Sequence, residues 1–261
     1  MAAQRLVWRF SSFTPPPANS SYSTAKKQIM TSSSLKSATA VAKSTRKLPV
    51  LLFDVMSTLV RDPFYDDIPA FFGMSMKELL ECKHPTAWIE FEKGLINEME
   101  LAQIFFKDGR PIDLEGLKSC MRQGYSYLEG VERLLDDLKK NGYEMHASTN
   151  YPIWYEIIEE KLKLSKYLSW TFCSCTMGTI LYLFEPDPDF YADVLKHLNV
   201  DPKCCIFIDD SMRNVEASLD AGLQGIQFKN VDLLRKDLAR LGVDIQTNKW
   251  TGNPDFAEYS Q

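Results

Sequence analysis

Pro49-Val50-Leu51-Leu52-Phe53-Asp54 is a short apolar run that ends on an acid. Four consecutive apolar side chains with no polar alternation suit a strand covered on both faces, as in a parallel sheet. The acid then marks the carboxyl end of that strand. Downstream, the pattern alternates. Residues 131–141 read as a helix stopping at Gly142, and Tyr143 to Thr149 as a strand. A helix over 152–163, a strand from Ser169 to Cys175 and a helix over 188–199 follow, the last with Asp187 as cap and Pro188 in its first turn. Lys203 to Asp210 reads as a strand, 212–221 as a helix stopping at Gly222, 223–229 as a strand, and 231–241 as a helix stopping at Gly242. Strand-helix alternation builds a parallel sheet with helices on both faces. The expected fold is therefore α/β, a doubly wound, Rossmann-like parallel sheet.

One block breaks the alternation. Residues of roughly 66–125 read as mostly helical, and Ser75-Met76-Lys77-Glu78 and Asn97-Glu98-Met99-Glu100 both have the form of capping boxes. The expectation is an inserted helical cap over 62–128, a core domain made of 48–61 and 129–246, and a tail over 247–261.

The 261 residues carry 30 basic and 35 acidic side chains, a net charge of -5, with 45% apolar and 25% charged residues. Those values are ordinary for a globular chain and exclude a disordered, collagenous or disulfide-scaffold protein. No stretch approaches 18 apolar residues, so neither a spanning helix nor a membrane partner is expected. Charge is unevenly placed. Residues 1–47 hold no acid, eight Lys or Arg, ten Ser and five Thr; the first acid is Asp54. A basic, hydroxyl-rich, acid-free leader has the composition of an organelle transit peptide, for a chloroplast or alternatively a mitochondrion. Without it, 22 basic side chains face 35 acidic ones, a balance of -13. A chain that acidic repels a phosphate backbone, so no nucleic-acid partner is expected. The six cysteines, Cys82, Cys120, Cys173, Cys175, Cys204 and Cys205, form no C-x-x-C pair and read as buried free thiols.

In open parallel sheets a ligand sits beyond the carboxyl ends of the strands. Three strand ends carry reactive groups: Asp54-Val55-Met56-Ser57-Thr58, Ser148-Thr149-Asn150, and Asp209-Asp210-Ser211 with Asn214 beyond. Together, in this order, they resemble the haloacid dehalogenase-like superfamily of aspartate-nucleophile phosphatases. The resemblance covers about 50–230 and includes the place of the cap. It implies that Asp54 attacks phosphorus and forms an aspartyl-phosphate, dividing one hard hydrolysis into two steps. It also implies magnesium (Mg²⁺), held by hard oxygen donors from Asp54, the Met56 backbone carbonyl, Asp209 and Asp210. Thr149 would donate its hydroxyl to a phosphoryl oxygen. Ser57, Thr58 and Asn150, with loop amides after Asp54, would complete the phosphate cradle. The paired acids Asp209-Asp210 favour phosphoryl transfer over metal-free dehalogenation.

A narrower resemblance is carried by Asp54-Val55-Met56, Arg61-Asp62-Pro63-Phe64-Tyr65, Thr149-Asn150-Tyr151-Pro152-Ile153-Trp154-Tyr155 and Ser169-Trp170-Thr171-Phe172-Cys173-Ser174-Cys175. These look like plant chloroplast flavin mononucleotide hydrolases. The implied substrate is a small phosphomonoester, flavin mononucleotide. The cap aromatics Phe64, Tyr65 and Trp88 would stack its ring, while Phe71, Phe72 and Phe91 join them in packing the helices. Another ribityl or sugar phosphate, or a weakened homologue without turnover, remains the alternative. Two departures motivate that alternative. Met56 stands where the superfamily has a proton-transferring acid, whose loss costs about 10²–10⁴ in rate, and Ser57 stands where Gly or an acid is usual. Glu185 stands where a Lys precedes Pro186-Asp187-Pro188, and Gly178 lies four residues farther upstream than the usual spacing. Segment 179–185 contains no cation and reads as a variant segment in place of a short basic one. His84, His146 and His197 show no metal spacing and read as structural.

Overall fold

The computed structural model describes residues 48–176 and 188–245. The leader 1–47, the segment 179–185 with Gly178 and Glu185, the helix cap Asp187 and the tail 247–261 lie outside the described residues.

Strand β1 (Val50–Phe53) is buried along its whole length. Five helices follow it: α1 (Asp67–Phe71), α2 (Met76–Cys82), α3 (Ala87–Glu92), α4 (Glu98–Ile104) and α5 (Leu114–Gly124). Then come α6 (Val131–Lys140), β2 (Glu144–Thr149), α7 (Tyr155–Leu162), β3 (Ser169–Cys173), α8 (Pro188–Leu198), β4 (Cys205–Asp209), α9 (Met212–Asp220), β5 (Gln224–Gln227) and α10 (Val231–Arg240). The strands form one sheet in the order β3-β2-β1-β4-β5, and every pair is parallel.

Burial on both faces explains why β1 reads as a continuous apolar run. Leu51 and Phe53 enter one core with Leu134 and Leu138 of α6 and Ile157 and Ile158 of α7. Val50 and Leu52 enter the opposite core with Phe190, Tyr191 and Val194 of α8. Burying such a side chain contributes about 1.5–3 kcal/mol. Strand β4 alternates in the same way, Ile206 and Ile208 against Cys205 and Phe207.

Local chemistry sets the ends. Both expected capping boxes form: Ser75 with Glu78, and Asn97 with Glu100. Helices α6 and α9 stop ahead of Gly142 and Gly222, whose φ values of 78° and 88° are left-handed, a region that favours Gly. Several boundaries shift by one to three residues from expectation, three of them with a clear local cause. The strand expected to reach Cys175 ends at Cys173, whose carbonyl accepts the Thr176 N–H at 2.9 Å and closes a turn. The strand expected from Lys203 begins at Cys205, after a 3-10 turn capped by the Asp201 side chain. The helix expected from Pro152 begins at Tyr155, whose N–H closes a turn onto the Pro152 carbonyl.

The strand order reverses between β1 and β4, each leading outward to one edge of the sheet. At such a switch point the loops part and leave a crevice beyond the strand ends. Asp54 follows β1 directly and Asp209 ends β4, so the topology brings the two acids to that crevice.

Candidate active site

Asp54 continues the ladder past β1 by donating its N–H to the Ile208 carbonyl at 2.9 Å. The chain then closes a tight loop. Leu59 and Val60 donate to the Val55 carbonyl, and Ser57 donates to the Val60 carbonyl at 2.7 Å. These three N–H groups are engaged within the loop, which narrows the amide cradle expected from it. Ser57 sits at φ 63°, in the left-handed region. A residue with a Cβ pays about 1–2 kcal/mol there. Ser57→Gly is expected to stabilise the fold by about 0.5–1 kcal/mol, the strain relieved outweighing the extra freedom of the unfolded chain. A urea titration checks this; equal or lower stability would show that the loop holds Ser57 without strain.

Thr149, at the end of β2, donates its hydroxyl to Asp54 Oδ1 at 3.1 Å. Asp209 is 1% exposed, and both its oxygens are held: Oδ1 accepts the Ser211 N–H at 2.6 Å and Oδ2 accepts the Asn214 amide at 3.0 Å. Asp210 is half-buried, and its carbonyl accepts from the Gln227 side chain at 3.1 Å. Asp54, Asp209 and Asp210 each offer an oxygen within 4.8 Å of the others. Burial pushes the Asp209 carboxyl up to about 7, and the Asp210 charge adds to the shift against the Asn214 and Ser211 hydrogen bonds. Three carboxylates so close and so poorly hydrated call for a countercharge. An all-oxygen donor set of this kind suits a hard divalent cation.

The other expected site residues fall in three groups. Met56 is half-buried, its side chain packed against the core, and Asn150 is half-buried just past Thr149. Thr58 is fully buried, and its hydroxyl accepts the Asp210 N–H at 3.1 Å, so its side chain ties the loops after β1 and β4 together. Among the aromatics, Phe64 is buried, Tyr65 is 42% exposed, and half-buried Trp88 packs against Phe64, Phe91 and Trp154. Phe71 and Phe72 stack on each other, and Phe72 packs on Phe105 and Phe106, away from Trp88's group. The histidines are structural: His146 bonds Thr171 and Glu144, His84 Nδ1 accepts the Ala87 N–H, and His197 packs on Phe172.

Sequence reasoning missed a polar group between the helices and the sheet. Glu92 accepts the Trp88 indole N–H at 2.5 Å. Burial pushes its carboxyl up to about 8, with the charge of Asp62 adding to the shift and Lys83 and Lys93 opposing it. Nearby, the buried phenols of Tyr125 and Tyr151 bond each other at 2.6 Å. The i,i+4 spacing of Trp88 and Glu92 was a usable signal, since it places both on one helix face. The tyrosine pair had none.

A family model for haloacid dehalogenase-like hydrolases matches residues 49–222. The chain belongs to that family. Flavin mononucleotide hydrolase 1 of Arabidopsis thaliana, named as chloroplastic, is 62% identical over 204 residues, covering 78% of this chain and 82% of that protein. N-acetylmuramic acid 6-phosphate phosphatase of Pseudomonas putida is 26% identical over 188 residues, 67% of this chain and 80% of that one. Among solved structures, a haloacid dehalogenase family enzyme of Bacteroides thetaiotaomicron in complex with magnesium superposes with a TM-score of 0.57 at 20% identity, over 70% of this chain and 94% of that one. A family hydrolase from Porphyromonas gingivalis gives 0.58 at 16% identity, over 76% and 98%. Both carry the same haloacid dehalogenase-like sheet. Among the described residues, no helix is long and apolar enough to cross a membrane.

Proposed function

We propose that this hydrolase cleaves flavin mononucleotide to riboflavin and phosphate in the plastid, with residues 1–47 as transit peptide and 62–128 as a cap over the sheet. The observation that carries the substrate is the 62% identity to the Arabidopsis flavin mononucleotide hydrolase across most of both chains. The chemistry is supported by the gathering of Asp54, Thr149, Asp209 and Asp210 at one strand-end crevice.

In this mechanism an Asp54 oxygen attacks phosphorus and the ester P–O bond breaks; the ester oxygen leaves with the bonding pair and takes a proton from water as riboflavin, and an aspartyl-phosphate remains. The Thr149 hydroxyl, now on Asp54, turns to a phosphoryl oxygen as the bond forms. Water then attacks the phosphorus and returns Asp54 to its carboxylate. Asp54, Asp209, Asp210 and the Met56 carbonyl would hold magnesium, which when bound neutralises charge between the anionic nucleophile and the anionic substrate. Asn214 and the Ser211 N–H hold Asp209 in place for that cation. Phe64 packs on Trp88 on one side and meets the exposed Tyr65 edge to face on the other, and these three would form a wall for the flavin ring. Met56 cannot give the leaving oxygen a proton but is shared with the plant flavin mononucleotide hydrolases that the sequence resembles; Glu185, in place of a Lys, favours the second reading, a homologue of weakened turnover.

Phosphate release over a panel of phosphomonoesters separates the two. Flavin mononucleotide is expected to be turned over fastest, and chelating divalent ions with EDTA is expected to reduce the rate by about 10²-fold or more, with recovery on adding magnesium. Rates indistinguishable from buffer across the panel would establish the weakened homologue, and equal rates with EDTA would remove the cation.

A further inference from the structure

Beside the carboxylate site lies a thiol pair that the phosphate chemistry leaves unused. Strand β3 ends at Cys173, and Cys173-Ser174-Cys175 turns back against the segment after β2. Cys173 Sγ and Cys175 Sγ are 3.5 Å apart. Cys173 is buried and pairs with Thr149 in the sheet, and its thiol reaches the Tyr151 carbonyl at 3.3 Å. Cys175 is only half-buried.

Ser174, between the two thiols, is a junction. Its N–H donates to the Thr149 carbonyl at 3.1 Å. Its hydroxyl donates to the Glu92 carbonyl at 2.6 Å and accepts the Tyr151 N–H at 3.0 Å. The Cys175 carbonyl lies so near Gly94 that a Cβ there would come within 3.1 Å of it. One turn therefore joins the end of α3, the chain after β2 and the backbone of Thr149, whose hydroxyl is on Asp54.

We propose that Cys173 and Cys175 are an oxidative modification site: a dithiol that exchanges with an aliphatic disulfide to form a Cys173–Cys175 bond, withdrawing Ser174 from Thr149 and Glu92. The sulfurs must close from 3.5 Å to about 2.05 Å. Cys173 is fixed in the ladder, so the closing movement falls on Ser174 and Cys175. The order of exchange follows from exposure. Cys175 is reached first, and the hydrogen bond from Cys173 holds its thiol below the ordinary range, favouring the nucleophilic thiolate there. The same contact, with burial, pushes Cys173 up.

The steps balance. Cys175 gives up its proton, and its sulfur attacks one sulfur of the disulfide R–S–S–R. A Cys175–S–R bond forms, and one thiolate leaves and takes up a proton. Cys173 then loses its proton and attacks Cys175 Sγ, expelling the second thiolate, which is protonated in turn. Two protein thiols are oxidised by two electrons, and the disulfide is reduced to two thiols.

The test uses the full chain, with oxidised glutathione as probe. Expected results are a mass lower by two hydrogens, a cross-link mapped to 173–175, and amide exchange at Ser174 faster by about tenfold or more. Turnover of whichever phosphomonoester the protein accepts is expected to fall about 10–100-fold, because a displacement of about 1 Å near reacting groups costs that much. Dithiothreitol should reverse all of it. Cys175→Ser, and independently Cys173→Ala, should show none of these responses. Six free thiols after treatment, a bond at Cys204 and Cys205 instead, or a Cys173–Cys175 bond that leaves Ser174 exchange unchanged would overturn the proposal. Mass and exchange need no substrate, so they stand apart from the flavin reading.

Discussion

Asp54→Asn is expected to lower phosphate release by on the order of 10⁴-fold or more while leaving the fold intact. The amide keeps the size of the carboxylate and can still accept from the Thr149 hydroxyl, which lies at 3.1 Å in the native protein. It cannot act as the nucleophile, and it removes one of three charges from the group that offers oxygens within 4.8 Å of one another. Relief of that repulsion should leave thermal stability equal or higher in the absence of a divalent ion. The two measurements together are diagnostic: lost turnover with retained stability supports a chemical role, whereas turnover surviving the substitution would sink the assignment of Asp54.

The second large effect concerns the stretch 179–185. Replacing Thr179-Ile180-Leu181-Tyr182-Leu183-Phe184-Glu185 with Lys-Arg-Lys is expected to raise turnover by about 10²–10³-fold. The argument is electrostatic. The superfamily resemblance implies a phosphate-pairing Lys where Glu185 stands; restoring it changes the charge at that position by two, the whole replacement changes it by four, and one charge pair at about 4 Å is worth about 4 kcal/mol at an effective dielectric near 20. Unchanged turnover would mean that a cation elsewhere already fills the role. Sequencing transcripts across the junction before Pro186 tests the origin of the segment directly, because a spliced variant predicts a second transcript carrying a basic stretch.

The strand ends were legible because a parallel sheet writes itself plainly: an apolar run covered on both faces, then an abrupt polar residue. Asp54 and Asp209 each stop such a run, and the sheet order sets them side by side. Residues that act through contacts between distant segments were less legible. Thr58 reads as a phosphate ligand in a hydroxyl-rich loop, and nothing in that pattern announces that its hydroxyl also accepts the Asp210 N–H. Cys173 and Cys175 read as two more scattered thiols, because nothing in a C-x-C spacing says that the turn between them grips Thr149 and Glu92. Ser174 carries no signal in the sequence. Its role exists only once β2, β3 and α3 are assembled.

The tie between Thr58 and Asp210 spans 152 positions of chain. During synthesis the ribosome delivers Asp54 early and its partner acids late, since β4 is the fourth strand made and yet must insert beside the first. Until it does, the emerging polypeptide carries Asp54 at the end of a strand with one flank bare. Such a long-range pairing closes slowly, so the open edge of β1 is exposed to chaperones and to neighbouring chains throughout that interval. Gathering of the three carboxylates and completion of the sheet are then one event, reached only when the chain through Asp210, of 261 residues, has been made.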